Sequence, residues 1–277
     1  MRRGKGTRRR IGIRIIAMKP MTDPAHAPTP ARTPLIGCAG WSIPKEAADA
    51  FPLEGSHLER YGAMFPMVEI NTSFYRPHQP KTYARWAESV PEAFRFAVKV
   101  PRAITHDAAL QDVDALLDSF AGEVAALGHK LGALLVQLPP KFRFHDVIVP
   151  DFFLRLQERF ACLVACEGRH PSWFSDTATE LLRERGVTRV IADPAAGQPG
   201  PHVPTTQDVY MRLHGTPRIY YSAYSPAFLA ALVRELAGYS AAGRQAWCVF
   251  DNTAAFEAVP NALDVLRACR DGSPVTV

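Results

Sequence analysis

Ten side chains able to do acid–base or ionic chemistry lie at or just past the ends of short apolar runs. They are Glu69, Asn71, Lys99, Gln137, Glu167, Arg169, Asp193, Arg212, His214 and Asp251. The guanidinium forks of Arg169 and Arg212, with Lys99, suit the oxygens of a phosphate or another small anion. Glu69, Glu167, Asp193 or Asp251, with His214, have the groups to serve as general acid and base, or to hold a divalent metal. No His-Glu-x-x-His or comparable compact motif is present, so a metal is an option and its identity is open. His106 follows the third apolar run as a lid or surface histidine, and His170 is placed to fix the loop that presents Trp173. Trp41, Phe74, Tyr75, Trp173, Tyr220, Tyr221 and Tyr224 all follow apolar runs. Such aromatics stack on sugars or bases, or plug the mouth of a barrel.

These residues need a scaffold that brings the ends of many strands together. Strand patterns fall at 35–41, 67–71, 94–100, 133–138, 161–166, 187–192, 209–213 and 246–250. Helical periodicity lies between them, clearest at 112–127, where Leu116, Leu117, Phe120, Val124 and Leu127 share one face. Ser225-Pro226 opens a further helix as N-cap and first residue. The sixth strand has no helix after it, because 194–204 has loop composition. Eight strands alternating with helices or one loop substitute predict parallel pairing through right-handed crossovers, hence a (β/α)₈ TIM barrel over 34–272. An open doubly wound sheet would want a Gly-rich phosphate loop after its first strand, and Gly37-Cys-Ala-Gly40 lacks the third glycine and the lysine.

Alternation along each strand assigns the polar residues to faces. Val68 and Ile70 turn to the helices, which leaves Glu69 and Asn71 inside. Glu167 and Arg169 share the inner face, as do Tyr210, Arg212 and His214. The same rule places Lys99, Gln137, Asp193 and Asp251 inside. A core built only for stability would not collect ionisable groups there, since each buried charge needs a partner. In this fold the carboxyl end of the strands is where active sites form. The alternative is an internal salt-bridge web with no chemistry.

The net charge of +5 is unevenly spread: residues 1–34 hold nine Lys/Arg against the single Asp23, which leaves the remainder acidic by three. The high pI therefore belongs to a basic, Pro-rich tail at 1–33, expected to be disordered, and the body has no global attraction for nucleic acid. The apolar stretch 11–18 is short and broken by Arg14, so neither a signal peptide nor a membrane span is expected. Translation from Met18 or Met21 is compatible with that tail. Five cysteines without a Cys-x-x-Cys pair read as small core residues of a cytoplasmic protein.

The same segments carry a resemblance. Gly37-Cys-Ala-Gly-Trp41, Val68-Glu-Ile-Asn-Thr-Ser-Phe-Tyr75, Phe96-Ala-Val-Lys99, Thr105-His106 and Lys130-Leu-Gly-Ala-Leu-Leu-Val-Gln-Leu-Pro-Pro140 form its first half. Glu167-Gly-Arg-His-Pro-Ser-Trp173, Asp193-Pro194, Tyr210-Met-Arg-Leu-His-Gly215, Asp251-Asn-Thr253 and Asn261-Ala262 form its second. Together they resemble the domain-of-unknown-function 72 family, also called YecE-like, across about 34–270. The resemblance implies a TIM barrel and no settled activity. It adds Asn252 to the residues expected to bind ligand, beside Asp251, Asn71, Gln137, Trp41, Tyr75, Trp173 and His106. Its fold is similar to barrels that include metal-dependent sugar isomerases and abasic-site endonucleases, a likeness of fold alone. Cys38 and Ala39 replace the family's small hydroxyl residues, and Phe256 stands where the family tends to have Gly.

Three functions fit. The first is a hydrolase acting on a phosphate-bearing or nucleic-acid substrate, with Glu167, His214, Asp193 and Glu69 as catalytic candidates. The second is a non-catalytic barrel that holds an anionic ligand between Arg169 and Arg212. Glycoside hydrolysis is third, because barrel glycosidases place carboxylates after strands four and seven, which here end in Gln137 and His214. Oligomeric state and substrate stay open, and no membrane partner is expected.

Overall fold

The computed structural model describes residues 30–271. The basic tail read from the sequence falls almost wholly outside them. Nine short parallel strands form the centre: β1 (Leu35–Cys38), β2 (Met67–Ile70), β3 (Arg95–Lys99), β4 (Leu131–Gln137), β5 (Leu163–Glu167), β6 (Val187–Arg189), β7 (Ile191–Asp193), β8 (Val209–Leu213) and β9 (Ala246–Phe250). Around them lie α1 (His57–Met64), α2 (Thr72–Tyr75), α3 (Pro80–Glu88), α4 (Asp114–Val124), α5 (Ile148–Arg159), α6 (Asp176–Glu184), α7 (Pro226–Ala241) and α8 (Ala258–Asp271). Among the described residues, none of these helices is long and apolar enough to cross a membrane.

The nine strands are eight staves. One sheet runs β2-β3-β4-β5-β6 and the other β1-β9-β8-β7, all pairs parallel. The sixth stave is broken at Val190: its first half pairs with β5 and its second half with β8. At the opposite seam Ala39 bridges Glu69, and Gly40 N donates to Glu69 O at 2.9 Å. The strand order thus runs around a TIM barrel, and no helix lies between Asp193 and Val209. The expected N-cap at Ser225 is present, its hydroxyl accepting from Phe228 N.

Two separate apolar clusters show why the strands alternate as they do. Val68, Ile70, Val98, Leu134, Val136, Val164 and Cys248 face the helices. Met67, Ala97, Ala133, Leu135, Ala165, Val190, Tyr210, Trp247 and Val249 fill the barrel. Trp247 lies across the axis, stacked on Tyr210 with ring centroids 6.1 Å apart. A Cβ on Gly132 would stand 2.4 Å from that indole, so glycine there gives the ring its room against β4. A packed apolar floor therefore lies beneath the carboxyl ends of the strands, where the inner face turns from apolar to charged.

Candidate active site

Arg212 is the centre of that charged layer. β8 puts it on the inner face, where its side chain is 1% exposed. Its Nε and Nη2 donate to the two oxygens of Glu69 at 3.1 and 2.8 Å. Its Nη1 donates to Glu167 at 2.7 Å, and Nη2 also donates to Asp251 at 2.8 Å. One guanidinium thus ties carboxylates from β2, β5 and the end of β9 into one cluster. Burial alone would push the Arg212 pKa down, but the charges of Glu69, Asp251 and Glu167 hold it well above the ordinary value. Tyr210 completes the set by donating its hydroxyl to Glu69 at 2.8 Å. Both Glu69 oxygens are therefore occupied, and the residue is fully buried.

His214, two residues further along the same face, sits between the other two carboxylates. Its Nδ1 is 3.0 Å from Asp251 Oδ2. Its Nε2 is 3.6 Å from Glu167 Oε1, too far for a hydrogen bond, and is buried with no hydrogen-bond partner among the described residues. Burial pushes the imidazole pKa down, but the Asp251 hydrogen bond and the nearby Glu167 carboxylate outweigh it and hold it above the ordinary histidine value. Glu167 is driven upward by burial and then held well below the usual carboxylate range by Arg212, His214 and Arg169. Arg169 contributes through Nε and Nη2, at 2.7 and 2.6 Å from Glu167 Oε1, and stays partly exposed at the mouth. Asp251 is likewise lowered, Arg212 and His214 outweighing its burial. The Tyr220 ring meets the imidazole edge-on at 5.5 Å.

Lys99 lies across the mouth from this network and is treated differently. It is 7% exposed, its Nζ stands 4.2 Å above the centre of the Phe74 ring, and it has no ion pair or hydrogen-bond acceptor among the described residues. Burial, with Arg212 adding to it, lowers its pKa to about 8, against the pull of Glu69, Glu167 and Asp251. The Gln137 amide, on a residue 7% exposed, also lacks a protein partner among the described residues. Asn71 reaches Asp251 only at 3.5 Å, and its Oδ1 is buried without a partner. His106 packs edge-on against Phe74 at 4.9 Å and bonds Thr105 through Nδ1. Burial and the positive charges of Arg102, Lys99 and Arg169 hold its pKa below the ordinary histidine value. Phe74 and the 77%-exposed Tyr75 continue into a cavity of about 280 Å³ bounded by Arg76, Arg102, Leu116 and Glu123.

The structure thus brings Glu69, Lys99, Gln137, Glu167, Arg169, Arg212, His214, Asp251 and Asn71 to one mouth, and four expectations need correction. Asp193 is not among them. Ile191 belongs to the helix-side cluster, so Asp193, two residues on, shares that outer face, and its carboxylate accepts from Thr216 at 3.3 Å. Trp173 is 1% exposed and closes the core, its Nε1 donating to Phe142 O at 3.0 Å. A Cβ on Gly168 would fall 2.4 Å from its ring, so glycine there is a packing requirement. Trp41 packs edge-on against Trp86 of α3, on the helix side. Asn252 is fully buried, and its amide bonds Ser222 O and Asn261, locking the loop before α8. Every nitrogen of Arg212 is already bonded to carboxylate, so of the expected Arg169–Arg212 pair it is the partly exposed Arg169 that offers an open edge to an anion. Among the described residues no three His, Cys, Asp or Glu side chains form a metal cluster; the guanidinium stands among the three carboxylates.

Several features escaped sequence reasoning. Phe74 as the platform under Lys99 lies in the short helix α2 and Tyr220 over His214 in a loop, where no strand alternation applies. Tyr210 was legible as inward-facing but not as a partner of Glu69. His170 does fix its loop, capping the turn at Pro171–Phe174 by accepting from Ser172 N. Cys38 faces the helix-side core, where burial raises its thiol to about 12, so its replacement of a hydroxyl residue does not touch the mouth. Phe256 adopts φ +65°, a backbone conformation that glycine takes without strain.

The comparisons with known proteins agree with this architecture. The family model described as "Protein of unknown function DUF72" matches residues 35–275. The chain is 35% identical over 164 residues to the UPF0759 protein YecE of Escherichia coli, covering 57% of this chain and 58% of YecE. It is 26% identical over 176 residues to YunF of Bacillus subtilis, covering 59% and 62%. The chain therefore spans less than two thirds of the length of either relative. A DUF72 family crystal structure from Thermotoga maritima superposes with a TM-score of 0.72 at 24% identity, over 87% of this chain and all of that one. One from Enterococcus faecalis gives 0.70 at 22%, over 84% and 94%. With a family match across most of its length and a shared barrel, this chain belongs to the DUF72 family.

Proposed function

We propose that this protein is a hydrolase that acts on a phosphate-bearing substrate at the carboxyl end of its barrel. One observation carries the reading: His214 holds Asp251 through Nδ1 and leaves a buried Nε2 unpartnered beside the mouth. A histidine whose pKa is raised holds its proton more readily and can give it to a leaving oxygen, as a general acid. Lys99 and the exposed edge of Arg169 supply the anion contact, and His106 lies beside them. Glu167 is too weak a base to take a proton from water, since two arginines hold its charge; it orients Arg169 and His214 instead. Glu69 supports Arg212 without reaching the substrate. Five unpaired thiols fit a working place in the cytoplasm.

A second reading has its own observation. Glu69, Glu167 and Asp251 all have oxygens engaged by arginine, as expected of a barrel that binds an anion without turning it over. Turnover separates the two. Wild type and His214→Ala are assayed with p-nitrophenyl phosphate, its bis-ester and a short single-stranded oligonucleotide. Hydrolysis by wild type, lowered about 10²–10⁴-fold in His214→Ala, is expected. Saturable phosphate binding with no turnover of any of the three would replace the hydrolase by the binding barrel.

A further inference from the structure

Lys99 does more than an anion contact requires. Surface lysines hold anions without being buried, and a buried lysine ordinarily has a carboxylate beside it. This one is 7% exposed, rests on the Phe74 ring at 4.2 Å, has no carboxylate partner among the described residues, and leaves the nearby acids to Arg212. Burial and the neighbouring Arg212 guanidinium both favour the neutral amine, against the weaker pull of the ring face on the cation. The acid–base pair a carbonyl addition needs is in the same mouth, since the charge of Asp251 acts on Lys99 as well as on His214.

We propose that Lys99 is a nucleophilic amine that forms an imine with a small phosphate-bearing aldehyde. This goes beyond the hydrolytic reading and does not rest on it. The Nζ lone pair forms the N–C bond while the carbonyl π pair moves to oxygen, which takes a proton from the His214 imidazolium. The new ammonium returns a proton to the imidazole, leaving a neutral carbinolamine. Protonation of its hydroxyl by the same imidazolium releases water as the nitrogen lone pair closes C=N, and the iminium proton goes back to the imidazole. Amine and aldehyde have become imine and water, with His214 as it began. Arg169, on the same rim, faces the phosphate.

The free amine is the reactive form, and its share follows from its surroundings. Facing Lys99 are Arg212, Glu69, Glu167, Asp251 and His106, with the Phe74 ring beneath. A pKa of about 8 leaves about a tenth of the amine free at pH 7, against roughly one part in three thousand for a lysine at 10.5. Labelling at Lys99 is therefore expected to outpace that of an exposed lysine on the order of a hundredfold.

The test traps the imine in the full-length chain. Glyceraldehyde 3-phosphate is added with borohydride, which delivers hydride to the imine carbon and leaves a stable secondary amine located by peptide mass mapping. A single adduct at Lys99 is expected, formed faster as pH rises through about 8 and slowed by excess inorganic phosphate. Lys99→Arg, which keeps the positive charge, and Lys99→Met are expected to lose it. Labelling spread evenly over exposed lysines such as Lys45, Lys81 and Lys141 would overturn the proposal in wild type alone, whatever the variants do. An adduct at Lys99 indifferent to phosphate would overturn the phosphate-bearing class of substrate. None of these outcomes depends on hydrolysis, so failure here and failure of the hydrolase reading are separate results.

Discussion

The two sides of the barrel mouth bury cations on opposite terms. On one side Arg212 is 1% exposed and shares its nitrogens among Glu69, Glu167 and Asp251, with Tyr210 donating a further bond to Glu69. On the other, Lys99 is nearly as buried and, among the described residues, has an aromatic face and no ion pair. Such an ion network is stiff and chemically inert, because each nitrogen of the guanidinium already has a carboxylate. An unsaturated cation is destabilised where it stands, and that free energy is recovered when a ligand arrives. The comparison separates what holds the site from what acts in it: Arg212 and Glu69 position, while Lys99 and the free nitrogen of His214 are left for chemistry.

Breaking the saturated side has the largest expected effect. Arg212→Met leaves three buried carboxylates without their common cation, and a loss of about 3–5 kcal/mol in denaturant unfolding is expected. A loss under ~1 kcal/mol would mean that the network is not structural. On the open side the sign reverses. Lys99→Met removes an uncompensated buried charge, so it is expected to stabilise by about 1–3 kcal/mol at pH 7. The native amine releases its proton near 8 while the unfolded chain keeps its proton to about 10.5. Between those values the unfolded state binds more protons, so wild-type stability rises with pH and the gap to Lys99→Met closes. Urea titrations of both proteins at pH 7 and 10 check this.

Acid reads the saturated side again. Glu167 is held well below 4.5 in the folded state. Its contribution is therefore present above that value and lost as pH falls through the depressed one. Glu167→Gln should flatten the acid limb of the stability curve, as measured by thermal unfolding from pH 5 downward. Tyr210→Phe is the smallest change, removing one hydrogen bond from a carboxylate that keeps Arg212. About 1 kcal/mol is expected, again by urea unfolding.

Much of this division was legible in the chain. Alternation along β2, β5 and β8 is enough to put Glu69, Glu167, Arg212 and His214 on one face, because a strand side chain has only two directions. Asp193 obeys the same rule but in the other phase: Val187 and Ile191 both pack on the helix side with Val190 inside, so alternation runs through the change of partner at Val190 and carries the carboxylate outward. Trp173 and Asn252 lie in loops, where a side chain's direction depends on what it meets. Trp173 folds over Gly168 and Asn252 finds Asn261, contacts that no spacing announces. Nor does sequence tell which of two inward cations takes the acids. Arg212 takes them because its planar fork meets several carboxylates at once, which a single ammonium cannot do.

The claim that one buried cation is spent and the other is free rests most directly on Lys99 itself. Its titration can be followed by NMR of the Lys99 side-chain Cε and Nζ in the intact protein, assigned by comparison with Lys99→Arg. A midpoint near 8 that moves upward on addition of inorganic phosphate is the predicted result. A midpoint at the ordinary 10.5, unmoved by phosphate, would contradict it.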